Sequence, residues 1–387
     1  MSTATRPARW DIFCSVVDNY GDIGVAWRLA RQLAHEHRLD VRLYNDTPAA
    51  LARIAPGVDA GVARQRVHGV DVRAWDRARD AQAQYVDIGQ VVIEAFGCGL
   101  PSHYLASMCA RMPPTAWINL EYLSAEEWID GYHGLPSPQA QAPLTRHFYF
   151  PGFTAQSGGL LREHGLAERR DAFRADPGAR ASFWKSLNIG PAPVDAMFVS
   201  LFCYDDASVV ELLDVCAAGD RAVCCMIPDG VASNAVDRWV GRGMKPGQTQ
   251  RRGALSLLTI PFVAQDDYDR LLWSCDLNFV RGEDSFVRAQ LAARPLIWQP
   301  YRQAEGAHTG KLDAFLARYC AGQSQDAASA LSTFNSSWST GTVSPAQWRA
   351  LVDTYPMLSH HAGAWATALA AQEDLAARLV KFAAHRV

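Results

Sequence analysis

The sequence predicts an α/β protein built as two Rossmann-like domains facing across a cleft. Three observations lead there. At 387 residues the chain exceeds what one ordinary hydrophobic core organises. A strand, a Gly-bearing loop and a helix follow one another at residues 10–33 and again at 276–290, which is the unit from which open parallel sheets are wound. Between the two halves the α/β pattern breaks at Pro151 to Pro193 and then restarts.

Taken in order, Trp10 to Val17 reads as a first strand, and Val25, Leu29 and Leu33 as the apolar face of a helix. Asp18-Asn19-Tyr20-Gly21-Asp22-Ile23-Gly24 lies between them. Strands are expected at Asp40 to Tyr44, Val91 to Ala95 and Ala116 to Leu120, with helices intervening. The break carries Gly158-Gly159, a charged block from Glu168 to Arg174, and Gly190-Pro191-Ala192-Pro193, the composition of a hinge with helical pieces. Strands resume at Ala196 to Tyr204, Arg221 to Ile227, Ala254 to Val263, Leu277 to Val280 and Pro295 to Gln299, and a helix opens near Gln265. From about Ser324 the pattern is mostly helical, broken near Gly341 to Pro345. The expected division is a Rossmann-like domain over 1–155, a linker over 156–193, a second Rossmann-like domain over 194–365, and a helix over 366–387 packing back toward the first.

Composition removes several function classes. Hydrophobic residues at 49% and charged residues at 20% are values of a folded globular protein. Lys+Arg of 37 against Asp+Glu of 40 gives −3 with no basic run, which disfavours nucleic acid as the main partner. No apolar run approaches ~18 residues, and MSTATRPARWD lacks the apolar stretch of a signal peptide, so a cytoplasmic protein without membrane contact is expected. Nine scattered cysteines, mostly inside apolar runs and without a CxxC pair, read as reduced core thiols. The histidines show no metal-ligand spacing.

The second strand-turn-helix carries the most chemistry. In DLNFVRGEDSFVRAQ, residues 276–290, the strand ends in Arg281-Gly282-Glu283, and Asp284 or Ser285 is expected to cap the following helix. Backbone N–H groups at such a helix start, with Arg281 as a fork of donors, suit a phosphate. Glu283 repels phosphate but suits a sugar hydroxyl, so the turn points to a nucleotide diphosphate with its ribose. Phe202 and Tyr204, sharing one side of a strand end, offer a ring to stack and a hydroxyl to donate. Phe262 is placed to cover a planar base and Gln265 to read its edge. In the first loop, Asp18 and Asp22 are two carboxylates at a cleft, while Gly21 and Gly24 match no full dinucleotide fingerprint. Asp267-Tyr268-Asp269 is a literal DxD, the spacing that metal-dependent sugar transferases use. Within a helix, i and i+2 face different ways, so it is rejected as a metal site.

Longer motifs carry a specific resemblance. WDIFCSVVDNYGDIGVAWRLARQL, INLEYLSAEEW, HGLPSP, SLFCYDD and IPFVAQDDYDRLLWSCDLNFVRGEDSFVRAQ together closely resemble the bacterial protein-arginine rhamnosyltransferases that modify elongation factor P, the EarP family, over essentially the whole chain. The resemblance implies a GT-B glycosyltransferase that holds dTDP-β-L-rhamnose in its C-terminal domain and the acceptor arginine in its N-terminal one; the rejected DxD and the lack of metal-ligand spacing add the expectation that no metal or other cofactor takes part. It implies Asp18 and Asp22 facing that arginine, with Asp22 the general base, and Glu283 completing the catalytic set as the residue that binds the ribose. It further implies Phe262 stacked on thymine, Gln265 reading it, and Phe202, Tyr204, Arg281, Asp284 and Ser285 around the nucleotide sugar. Two segments depart from the family pattern: Leu291-Ala292-Ala293-Arg294, where a Trp is expected, and Trp298-Gln299-Pro300-Tyr301, where a His is expected after the Trp. The competing readings are a GT-B transferase or epimerase with a small acceptor, and a nucleotide-sugar-gated binding protein without chemistry of its own.

Overall fold

Short apolar runs become the strands of two mostly parallel sheets, because a parallel sheet is covered on both faces and buries its strands throughout. A computed structural model describes residues 7–76, 87–139, 143–190, 195–302 and 306–386. The chain divides into two units, Met1–His164 with Gln372–Val387, and Gly165–Ala371.

Among the described residues, the first unit holds an eight-stranded sheet. Its strands are β1 (Arg9–Cys14), β2 (Asp40–Asn45), β3 (Arg64–Val67), β4 (Val70–Ala74), β5 (Val91–Ala95), β6 (Ala116–Leu120), β7 (Pro136–Pro138) and β8 (Thr145–Tyr149). Their order is β3-β4-β2-β1-β5-β6-β8-β7, parallel except where the edge strands β3 and β7 pair antiparallel. Both edge strands escaped the sequence reading for one reason. RQRV and PSP are too short and too polar to show strand periodicity, and the β3–β4 turn is made by His68 and Gly69 at φ of 44° and 77°. The core around Phe13 includes Tyr44, stacked on it at 4.2 Å, with Trp75 and Tyr104 set edge-on. Asp11 is fully buried in β1 and is bound by the guanidinium of Arg42 on β2, the Tyr104 hydroxyl and the Gly89 N–H.

The second unit holds a six-stranded sheet of β9 (Met197–Leu201), β10 (Val223–Pro228), β11 (Thr249–Arg252), β12 (Leu255–Ile260), β13 (Leu277–Arg281) and β14 (Leu296–Gln299). The order is β11-β12-β10-β9-β13-β14, parallel apart from β11. Each expected strand of this half is present; four are shorter, since flanking residues such as Phe202 to Tyr204 leave the ladder to form loops, and the strand expected at Leu277 to Val280 runs one residue further, to Arg281. In the helical segment after Ser324, the break near Gly341 separates Gln325–Thr340 from Pro345–Asp353, with Gly341 at φ 87°.

The stretch 156–193 is not a separate linker. Residues up to His164 stay with the first unit, where the Gln32 amide donates to the Arg162 carbonyl at 2.8 Å and Arg162 donates to the Gln372 carbonyl at 2.8 Å. The charged block instead forms a helix over Leu166–Ala175 that joins the second unit. There Arg170 donates to the Leu291 carbonyl at 2.9 Å, and Arg174 donates to the carbonyls of Trp273 and Ala292. Those carbonyls end two other helices and have no helical partner of their own, so arginines that read locally as a solvated linker serve as caps. Pro191, Ala192 and Pro193 lie outside the described residues. The helix Leu375–Ala384 belongs to the first unit, where the Gln32 amide also donates to Asp374 at 3.1 Å.

Candidate active site

Open parallel sheets bind ligands beyond the C-terminal ends of the strands where the winding order reverses. In the first unit that point is β1, flanked by β2 on one side and β5 on the other. The loop after β1 carries both expected aspartates. Its helix, α1 (Gly21–Glu36), starts earlier than the apolar pattern indicated, so Asp22 sits in the first helical turn rather than in a free loop. Gly21 donates its N–H to the Asp18 carbonyl at 2.7 Å, and a Cβ on Gly21 would meet Asp18 Oδ2 at 2.5 Å. A side chain at Gly21 would therefore displace the Asp18 carboxylate from its present position.

The two carboxylates differ in environment. Asp22 is fully buried and Asp18 6% exposed. Asp22 Oδ2 accepts the N–H groups of Val17 at 2.7 Å and Asp18 at 2.9 Å. Its Oδ1 is buried without a hydrogen-bond partner among the described residues. Burial pushes the Asp22 pKa up, the two N–H groups hold it back, the neighbouring Asp18 charge raises it, and the Tyr122 side chain lowers it; the net direction is upward. An anchored carboxylate whose pKa is raised by burial can take a proton. Tyr122, which follows β6 and stacks on Phe96 at 4.5 Å, was missed as a site residue, although its place just past a strand end is a usable signal.

In the second unit the reversal lies between β9 and β13. The strand exits there are Phe202 to Tyr204 and Arg281 to Glu283, brought side by side by the Phe202 N–H donating to the Phe279 carbonyl at 3.1 Å. Arg281 donates to the Cys203 carbonyl at 3.1 Å, and its guanidinium carbon lies 4.5 Å from the Phe202 ring centre and 4.6 Å from that of Tyr204. Both rings therefore hold the arginine, a role the sequence reading did not give them. Gly282 turns the chain at φ 59°, and Glu283, not Asp284 or Ser285, occupies the N-cap position of α2 (Asp284–Leu291) without a side-chain cap bond. The reason is that both expected caps are committed elsewhere. Asp284 accepts from the Gln265 amide at 3.0 Å, and the Ser285 hydroxyl bonds back to Arg281, accepting its N–H at 3.2 Å and donating to its carbonyl.

Gln265 opens the helix Gln265–Ser274, which follows the exit of β12 through Phe262, so the second unit collects all eight of its expected binding residues from three strand exits. The two aspartates of the DxD part company within that helix. Asp267 pairs with Arg270 at 2.8 Å, while Asp269 pairs with Arg288 at 2.8 and 2.6 Å.

No disulfide joins the nine cysteines, and no helix of the described residues is long and apolar enough to cross a membrane.

A family model described as Elongation-Factor P (EF-P) rhamnosyltransferase EarP matches residues 10–384. The chain is 49% identical over 376 residues to a protein-arginine rhamnosyltransferase of Pseudomonas putida, covering 97% of this chain and 98% of that one. A solved structure described as the structural basis for EarP-mediated arginine glycosylation of translation elongation factor EF-P is 36% identical, with a TM-score of 0.70 over 98% of this chain and all of that one. Acinetobacter baumannii MurG, 12% identical with a TM-score of 0.51 over 98% of this chain and 100% of that one, shares the fold alone, which is the GT-B type.

Proposed function

Because the chain belongs to the EarP family of Elongation-Factor P rhamnosyltransferases, we propose that this protein-arginine rhamnosyltransferase takes L-rhamnose from dTDP-β-L-rhamnose and places it, with inversion, on an arginine of EF-P. The observation that carries the acceptor side is Asp22, a buried carboxylate anchored through Oδ2 by two backbone N–H groups, with its pKa raised chiefly by burial. A guanidinium has a pKa above ~12 and a delocalised lone pair, so it attacks a sugar only if a carboxylate orients it and removes a proton. Asp18 is read as the orienting carboxylate and Asp22 as the base. In the step, an arginine nitrogen bonds to the anomeric carbon, the bond from that carbon to the diphosphate oxygen breaks, and the nitrogen's proton passes to Asp22. A β-linked donor then yields an α-linked product.

The leaving dTDP carries negative charge. On this reading it is stabilised by the backbone at the start of α2 and by Arg281, held ready by two rings and a carbonyl, so no reorganisation is needed as the charge develops. Phe262 covers thymine, Gln265 reads its edge, Tyr204 and Ser285 serve the diphosphate, and Glu283 takes the ribose. Phe262→Ala is expected to weaken dTDP binding by about 1–3 kcal/mol, the scale of a base–aromatic contact. Glu283→Ala should weaken dTDP-rhamnose binding and abolish transfer while the protein still melts cooperatively. Unchanged donor affinity in both variants, measured by calorimetry, would remove the pocket.

The reaction is proposed to need no metal. This is supported by Asp267 and Asp269 each pairing with a different arginine, so that the two carboxylates do not converge on one point. Excess chelator should leave the initial rate nearly unchanged. A collapse restored by Mg²⁺ or Mn²⁺ would show that the diphosphate is metal-bound after all.

The overall test is to incubate the purified protein with dTDP-rhamnose and EF-P and weigh the factor intact. A gain of one rhamnosyl group supports the proposal. Consumption of donor with EF-P unmodified points to a small acceptor or epimerisation, and binding without consumption points to a protein that only senses the nucleotide sugar.

A further inference from the structure

We propose that Gln299 is a positioning residue that keeps the two halves of the donor cradle in register, an inference that rests on reading the second unit as the dTDP-sugar site. Gln299 ends β14 directly opposite Arg281 on β13, and it is 4% exposed. Its backbone carbonyl accepts the Gly282 N–H at 3.1 Å. Its side chain reaches past β13 to the loop that leaves β9, where Oε1 accepts the Tyr204 N–H at 2.8 Å and Nε2 donates to Asp206 Oδ1 at 2.8 Å. One residue thus binds the turn below the expected diphosphate and the loop that carries Phe202 and Tyr204.

The neighbouring residue completes the clamp. The Trp298 indole donates to the Gly282 carbonyl at 2.9 Å, and its ring stacks on Phe286 of α2 at 3.8 Å with an interplanar angle of 8°. Gly282 is therefore held at both its N–H and its C=O, which fixes the direction in which the following N–H groups point. Asp206, in turn, pairs through Oδ2 with Arg302 at 2.6 Å. An amide suits this position because it accepts from an N–H and donates to a carboxylate at once. Since the clamp touches the cradle and not the reacting atoms, it governs donor affinity and not the rate of the bound complex.

The experiment compares Gln299→Met, which keeps length and volume and removes both side-chain bonds, with Gln299→Glu, which keeps an acceptor for Tyr204 but opposes Asp206. Calorimetry with dTDP and steady-state rates with donor and EF-P varied separately are the readouts. Gln299→Met should raise the dTDP Kd and the donor KM about tenfold, the value of two modest hydrogen bonds, with kcat and the EF-P KM within about twofold of the parent. Gln299→Glu should also raise the donor KM and spare kcat, and it decides the matter if the Met variant does not fold. Donor affinity equal to the parent's, or a loss confined to kcat, overturns the positioning role. If Phe262→Ala weakens dTDP binding in the same assay while the Gln299 variants do not, the donor-site reading stands and only the clamp falls. If dTDP ignores both Phe262 and Gln299, the donor-site reading falls and takes the clamp with it.

Discussion

Asp22→Asn is expected to bind dTDP and EF-P nearly as the parent does and to lose on the order of 10²-fold or more in kcat, the scale for removing a general base. The amide keeps the shape of the carboxylate, so the loss cannot come from a cavity. It also keeps an oxygen able to accept the Val17 and Asp18 N–H groups, so the loop should hold its turn. What it lacks is basicity at the buried Oδ1. A pH profile adds an independent check. A base works deprotonated, and the pKa of Asp22 is raised above the ordinary carboxylate value of about 4, chiefly by burial. The parent's kcat/KM should therefore fall on the acid side with a midpoint above that value, and this limb should disappear in Asp22→Asn. Asp18→Asn should also impair turnover, with a larger share appearing as a raised EF-P KM. Turnover of Asp22→Asn near the parent rate at saturating donor and acceptor would send the proton elsewhere and end the carboxylate mechanism.

Asp269→Ala should destabilise the protein by about 3–5 kcal/mol, the cost of leaving a buried charge unpaired. Arg288 is 2% exposed and its guanidinium makes two bonds to Asp269, one from Nε at 2.8 Å and one from Nη2 at 2.6 Å. This pair locks the helix opened by Gln265 to α2, behind the two helix starts that the donor reading uses. Replacing both partners, as Asp269→Leu with Arg288→Met, should recover most of the stability, because similar-volume apolar side chains remove the stranded charge. Thermal or urea unfolding of the three proteins decides it. A single variant as stable as the parent would mean that the pair is solvated and that the DxD acid has some role other than holding these helices.

Much of the fold was legible because its signals are short-range. Val91–Ala95 and Ala116–Leu120 are strands with the expected bounds, since a central parallel strand is an apolar run in its own right. Gly282 announced the turn after β13, because the freedom of glycine to take a positive φ is a property of the residue itself. The edge strands β3, β7 and β11 were not legible, as their polar residues take strand form only from the neighbour they pair with. The charged helix at Leu166–Ala175 resembled a linker because the carbonyls that its arginines cap lie more than a hundred residues downstream in two of three bonds.

The same division runs through the site. The chain alone determined the kinds of group present: two aspartates after one strand, an Arg-Gly-Glu turn after another, and a DxD at the wrong spacing for a helix to share an ion. The tertiary structure decided what each group is free to do. It anchored Asp22 at one oxygen through two backbone N–H groups, set Arg281 against rings 77 and 79 residues away, moved the cap of α2 to Glu283, and gave Gln299 a bridge between two loops. Side-chain chemistry is written residue by residue, whereas partners are supplied by strand order, and strand order is a property of the whole packed sheet.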